Sequence, residues 1–283
     1  MSRQPLRALL LLLLCVPWSG VFAAEVKHLT FGLFPNLSPR TLVSIYQPMR
    51  NFIEAELGRP VELVTASNFN IFTRRMLAKE YDLVVAAPHL ARLAQTDAGY
   101  ELLDHYEQPL QACVVVSVKS SAKNLKDLSG KRVAVPDKVA IVTWLGLAML
   151  TQAGLRVDQD YRMLEAKSHN NAALNVVNGQ AEAAVIGSVP LSQLTKEVRD
   201  QLRVIGRSAP IPSQYFAVSD RLSSQERKQI EQALFKFANT ADGRKFLSQF
   251  AMLGISKAKP NELVEMDVYA KQVRQLLSEP VAP

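Results

Sequence analysis

Lys131 to Val135 form a short apolar strand that Pro136 and Asp137 close, and from Val139 onward Leu145, Ala148, Met149 and Leu150 fall at helix-face spacing. A strand, a tight turn and a helix in that order commit a chain to α/β architecture, in which helices wrap a largely parallel sheet. At the carboxyl end of such a strand, the following helix aims its free backbone amides and positive dipole end into the ligand crevice. Pro136 to Trp144 is therefore where function is sought first. Just upstream, Leu125 to Ser129 read as a turn of helix broken at Gly130.

The rest of the chain repeats that unit. Val26 to Phe34 reads as a strand ending at Pro35, followed by a helix with Leu42, Tyr46, Met49, Ile53 and Leu57 on one face. That helix stops at Gly58, and Pro48 inside it predicts a kink or a fresh start. Val61–Val64 is a second strand, Asn68 caps a helix through Leu77, and Asp82–Ala86 is a buried third strand ending at Pro88. Cys113–Val118 leaves this first lobe. After the focal unit come a weak strand (Tyr161–Leu164), a helix (His169–Val177) stopped by Gly179, and a buried strand (Ala183–Ile186) ending at Gly187. Leu202–Ile205 leads through Pro210 and Pro212 to Tyr215–Val218, a return strand, and three helices start near Ser223, Asp242 and Asn261. Ser223 and Glu226 have capping-box spacing. The expected organisation is two doubly wound sheets joined by a two-strand hinge, with lobe 1 built from 24–112 and 213–283 and lobe 2 from 113–212. Two crossings make a hinge, and hinged lobes close on a ligand.

Arg3 and Arg7, the apolar run Ala8–Val16 and the small-residue pattern Val21-Phe22-Ala23 read as a signal peptide over 1–23. Acylation at Cys15 fits poorly, because Leu14 stands where a small residue is expected. Cleavage leaves Cys113 as the sole cysteine, so a monomer in the periplasm relies on its core and not on a disulfide. Loss of Arg3 and Arg7 brings the formal charge of +7 to about +5, spread without a basic run. Aromatics do not interleave with basic residues, which argues against nucleic acid. His28, His89, His105 and His169 lack metal-ligand spacing, and no nucleophile elbow, phosphate-cradling glycine loop or zinc helix is present, so no metal, cofactor or catalysis is expected.

Several stretches, in order, carry a family resemblance: Leu29–Pro35; Gln47-Pro48 with Leu57–Leu63; Tyr81–Pro88; Asp127–Val135; Ser168-His169; and Asn178–Ala184. With these the chain resembles the periplasmic solute-binding proteins of phosphate, phosphite and phosphonate ABC transporters, a branch of the type II periplasmic binding protein fold. The resemblance spans essentially the whole mature chain. It implies capture of a small molecule between lobes and delivery to an inner-membrane permease. It also implies an oxyanion grip at the helix start after the focal strand, by a serine, threonine, serine run and a glycine. This chain has Ala140, Ile141, Val142 and Thr143 there, and three apolar side chains donate no hydrogen bonds. The acidic partner for an aminoalkyl group is replaced by Gly187 and Ser188, and the aromatic before the second helix is Phe69, without a phenol. These departures predict a ligand less charged, or more apolar, than phosphonate.

The expected site comprises Pro35, Asn36, Ser67, Asn68, Phe69, Pro88, His89, Ala140 to Trp144, His169 and Tyr215. His169 matches a family histidine that points into the cleft. His89 sits at the mouth of a buried strand, and Thr143 is the remaining hydroxyl near the helix start, though it can bond its own backbone instead. Trp144 reads equally as a cleft cap or a hinge-side core residue. Two roles remain open: supply of a solute to an ABC permease, or an extracytoplasmic sensing subunit for a membrane receptor such as a histidine kinase.

Overall fold

The computed structural model describes residues 28–249 and 252–278. The expected signal peptide, Cys15 included, lies outside the described residues.

The chain opens with β1 (Leu29–Leu33), α1 (Pro39–Leu57), β2 (Val61–Val64), α2 (Phe69–Leu77), β3 (Leu83–Ala86), α3 (Pro88–Ala98) and β4 (Glu101–Tyr106). Local chemistry sets these limits. The Ser38 hydroxyl caps α1 by accepting the Thr41 N–H, and Gly58 ends it at φ +60°, a conformation that glycine adopts without strain. Asn68 caps α2 by accepting the Ile71 N–H at 2.9 Å. The second lobe then holds β5 (Ala112–Ser117), β6 (Arg132–Val135), α4 (Ile141–Gln152), β7 (Arg162–Glu165), α5 (His169–Val177), β8 (Ala183–Gly187), α6 (Ser188–Gln193), α7 (Lys196–Arg199) and β9 (Leu202–Arg207). The chain returns through β10 (Tyr215–Val218) to α8 (Ser224–Ala238), α9 (Ala241–Gln249), β11 (Ile255–Lys257) and α10 (Asp267–Ser278).

Two sheets result, ordered β11-β4-β10-β3-β1-β2 and β7-β6-β8-β5-β9. In each, a parallel trio is flanked by a strand of opposite sense: β10 against β3 with Tyr215 opposite Ala86, and β5 against β8 with Val116 opposite Ala183. The lobes are thus built alike, each closed by a strand entered across the hinge. The two crossing segments pair with each other, Leu110 and Ile211 exchanging N–H···O bonds of 2.9 Å.

One buried cluster runs through both lobes, joining Val84 and Ala217 of the first sheet to Val133 and Val185 of the second, with Leu90 of α3 and Val273 of α10. Separate clusters back the outer faces, around Phe31, Ile53 and Phe216 in lobe 1 and around Ala134, Ala172 and Ile186 in lobe 2. α4 lies close on its sheet. A Cβ at Gly146 would come 2.5 Å from a Val185 methyl, so glycine is required for that approach. Cys113 is fully buried on β5.

The structure departs from the sequence reading in three places. α1 runs through Pro48 as one 19-residue helix, without a fresh start. Pro48 and Ser44, the residue whose carbonyl loses its partner, are both exposed, so water replaces the missing bond. The last helix begins at Asp267, because Asn261 turns the chain at φ +63°. Finally, α3, β4, α6, α7 and β11 have no counterpart in the sequence reading. β4 carries Glu101, Asp104 and His105 without clean alternation, yet Asp104 is fully buried.

Asp104 has no partner for either carboxylate oxygen among the described residues. Burial pushes its pKa up to about 8, Glu231 adds to the rise and Lys257 opposes it. The folded state therefore holds a proton that the unfolded chain releases above its ordinary value of 3.8, and stability from this group falls as pH rises from 4 to 8. Asp104→Asn is expected to melt at a higher temperature than the wild type at pH 7.5, with the gap closing toward pH 4; a gap independent of pH would contradict this.

Candidate ligand-binding cleft

The turn from β6 into α4 is braced from both lobes. Asp137 Oδ1 accepts the Val139 N–H at 2.7 Å, and its backbone carbonyl accepts the Thr143 hydroxyl, also at 2.7 Å. From lobe 1, His89 Nε2–H donates to the Val139 carbonyl at 2.9 Å, which fixes the imidazole tautomer because a carbonyl only accepts. α4 then starts behind Ala140, which has no side chain able to cap it. The Thr143 N–H turns back to the Ala140 carbonyl at 2.9 Å. The N–H groups of Ile141 and Val142 remain for a partner outside the helix.

Those residues line an inner pocket of about 50 Å³ between the lobes. By volume it admits about four water-sized groups. Its walls are mainly apolar: Phe34, Ala87 and Met252 from lobe 1 face Ile141, Val142 and Val189 from lobe 2. The polar lining comes from Asn36, His169, Ser213 and Gln214, and includes no lysine or arginine among the described residues. His169 is nearly buried, and desolvation lowers its pKa to about 4, so it is neutral at pH 7. Its Nδ1 faces the Gly187 N–H at 3.4 Å, which places the proton on Nε2 as a donor. Asp137 stands behind the turn. Burial raises it to about 6, against the Val139 N–H that holds it down, so it is charged at neutral pH.

The inner pocket continues past Asn36, His169 and Pro190 into a vestibule of about 570 Å³ at the lips of the lobes. Pro35 and Ser67 line it from lobe 1, Asn170, Asn171 and Gln193 from lobe 2.

Of the residues expected from sequence, Pro35, Asn36, Ser67, Ala140, Ile141, Val142 and His169 come together around these two chambers. The others are placed elsewhere. Asn68 is spent capping α2, and Phe69 packs against Phe34 with ring centres 4.5 Å apart and planes tilted by 38°. Pro88 opens α3 from a buried position. His89 is fully buried and bridges the lobes, and Thr143 braces the α4 turn. Trp144 packs edge-on to His89 and lies parallel to Tyr269 of α10 at 5.8 Å, on the hinge side. Tyr215 points into lobe 1 beside His105, at 5.0 Å, while its neighbour Gln214 reaches the pocket. Sequence reasoning missed Phe34, Ala87, Val189, Pro190, Ser213 and Gln214. The repeat between lobes held a signal for two of them: Val189-Pro190 follow β8 as Pro88-His89 follow β3.

The family model for the periplasmic substrate-binding protein of phosphonate ABC transporters matches residues 31–263. The phosphate-import protein PhnD of Mycolicibacterium smegmatis is 24% identical over 250 residues, which cover 81% of this chain and 77% of that protein. A binding-protein component of a phosphonate ABC transporter from Pseudomonas aeruginosa superposes with a TM-score of 0.79 at 18% identity, covering 91% of each chain. PhnD1 of Prochlorococcus marinus, in complex with methylphosphonate, superposes with a TM-score of 0.77 at 14% identity, over 89% of this chain and all of that one. At these identities the two structures establish a shared fold.

The bridge made by His89 is open to test. Desolvation lowers its pKa from 6.5 to about 4, so the unfolded chain takes up a proton that the folded state refuses, and this stabilisation is lost as pH falls from 6.5 to 4. His89→Ala should cost about 1–3 kcal/mol in urea melts at pH 7.5. The deficit should narrow at pH 4.5, and an equal deficit at both would show that neutral burial of the imidazole contributes nothing.

Proposed function

Because the chain belongs to the periplasmic substrate-binding proteins of phosphonate ABC transporters, we propose that it captures a small solute between its lobes for a membrane permease, and that this solute is a partly apolar oxyanion carrying at most one full negative charge. In this reading residues 1–23 direct export and are removed.

The observation that carries the reading is the makeup of the inner pocket. It offers the amides at the start of α4, the Nε2–H of His169 and the side chains of Asn36 and Gln214, with no cationic side chain among the described lining residues. A helix start is equivalent to roughly half a positive charge. That suits one negative charge held by neutral donors. A second charge would be buried without a partner, at a cost that pairing normally offsets. Asp137, charged behind the same turn, opposes a dianion further. The apolar walls from Phe34, Ile141 and Val189 suit a carbon substituent on the charged centre.

Capture follows from closure. Both lobes line the pocket, so a ligand that touches Asn36 and His169 together favours the closed arrangement, and its differential affinity for that arrangement is the signal a permease reads.

A thermal-shift series on the purified protein at pH 7.5 tests the charge assignment, using phosphate, phosphite, methylphosphonate, the monoanion methyl methylphosphonate and short carboxylates. A ligand at a hundred times its Kd adds about 2.7 kcal/mol of stability. The monoanionic ester is expected to raise the melting temperature more than phosphate or methylphosphonate does. Tightest binding of phosphate would overturn the reading, as would the absence of a shift with any of these anions. In the same series His169→Ala should weaken binding of the ester about tenfold, in keeping with one hydrogen bond to a charged group.

A further inference from the structure

Resting on the reading of the inner pocket as the seat of the charged head, we infer that the natural ligand carries a hydroxyl-bearing tail, of polyol or sugar-like character, held in the vestibule. The inner chamber of about 50 Å³ has room for a head group and little more, whereas the vestibule of about 570 Å³ is the size of a small-molecule site. The two share Asn36, His169 and Pro190, so a ligand seated in the first has its free end in the second.

The vestibule lining selects the chemistry of that end. Ser67, Asn170, Asn171 and Gln193 are uncharged and hydrogen-bonding, come from both lobes, and stand among Leu37, Pro39, Ala66 and Leu194, which suit the carbon skeleton between hydroxyls. No aspartate or glutamate is among the described lining residues, so an ammonium tail would find no counter-charge. The cation among the described lining residues, Lys167, is exposed to solvent and adds little for a second anionic group.

Gln193 carries the argument furthest. Its side-chain carbonyl is buried and has no hydrogen-bond partner among the described residues. A buried polar atom left unpaired is costly, and a turn of the Gln193 amide into the vestibule that this residue lines would let a ligand hydroxyl relieve it. A hydroxyl both donates and accepts, so it satisfies this amide whichever way the amide is turned. The Ser168 hydroxyl accepts the Asn171 N–H as a helix cap, which leaves its hydrogen free to donate to the same tail.

Three monoanions with one head separate this inference from the reading beneath it: methyl, propyl and 2,3-dihydroxypropyl methylphosphonate, compared by calorimetry on the purified protein. The dihydroxypropyl ester is expected to bind at least tenfold tighter than the methyl ester, with the propyl ester gaining less. Gln193→Ala should bring the ratio of the dihydroxypropyl to the methyl Kd toward one. Equal affinity for the methyl and dihydroxypropyl esters overturns the hydroxylated tail and leaves the head assignment standing. A propyl ester as tight as the dihydroxypropyl ester also overturns it, by showing that the gain is apolar. If none of the three binds, the head assignment fails and the inference falls with it.

Discussion

A helix that starts without a cap must find acceptors for its first amides outside its own sequence. α1, α2, α5 and α8 meet that demand locally, through Ser38, Asn68, Ser168 and Ser223. α3, α4 and α6 do not, because Ala87, Ala140 and Gly187 offer no side-chain oxygen. These three follow the parallel strands β3, β6 and β8, whose carboxyl ends meet at the cleft. α3 begins at Pro88, which has no N–H to satisfy, and α6 is short. The unmet demand therefore concentrates at α4, and the polar groups around α4 are committed to holding its turn in place. Asp137 and Thr143 bond the turn itself, and His89 reaches it from the other lobe.

The joint between the lobes is apolar on one side and polar on the other. Toward the hinge, a single buried cluster crosses from sheet to sheet, and Trp144 stacks on Tyr269 across it. At the lips, serine, asparagine and glutamine side chains stand among Leu37, Pro39, Ala66 and Leu194, so that side is the more polar of the two. Opening the lips exposes groups that water solvates readily, whereas parting the hinge side would expose apolar surface at about 25 cal/mol per Å². A bend about the paired segments at Leu110 and Ile211 would therefore cost less than parting the lobes on the hinge side.

Most of the fold was legible because its strands and helices obey their own periods and punctuation. Pro35, Gly58, Asn68, Gly179 and the Ser223–Glu226 box ended or began elements where local chemistry says they should. The segment from Pro88 to Tyr106 was not legible. Its helix is alanine-rich, and its strand buries an aspartate that sequence patterns assign to the surface. In the cleft, Ala140 to Val142 and His169 of the sequence reading line the inner pocket, since a strand-to-helix turn at the end of a parallel strand can face little else. Sequence could not separate His169 from His89. Both stand in the first turn of a helix after a buried strand or cap, and only the packing of the lobes decides that one imidazole faces the pocket and the other bridges to Val139. Tyr215 shows the same limit in a strand: a period of two sends Gln214 to the pocket and Tyr215 into lobe 1.

The replacement of hydroxyls by Ala140, Ile141 and Val142 alters the site in a specific way. Side-chain donors are lost, but the amides of the same residues stay, because they belong to the helix and not to the side chains. In the proposed reading, recognition of an oxygen-bearing head then rests on the backbone. The number of charges that can be buried there falls with each donor removed, at roughly 1.5 to 3 kcal/mol per charge-assisted bond. Methyl groups in their place raise the return on any carbon attached to the head. On the proposed reading the backbone sets what kind of group enters the cleft, and the side chains set how much charge it brings and what it is attached to.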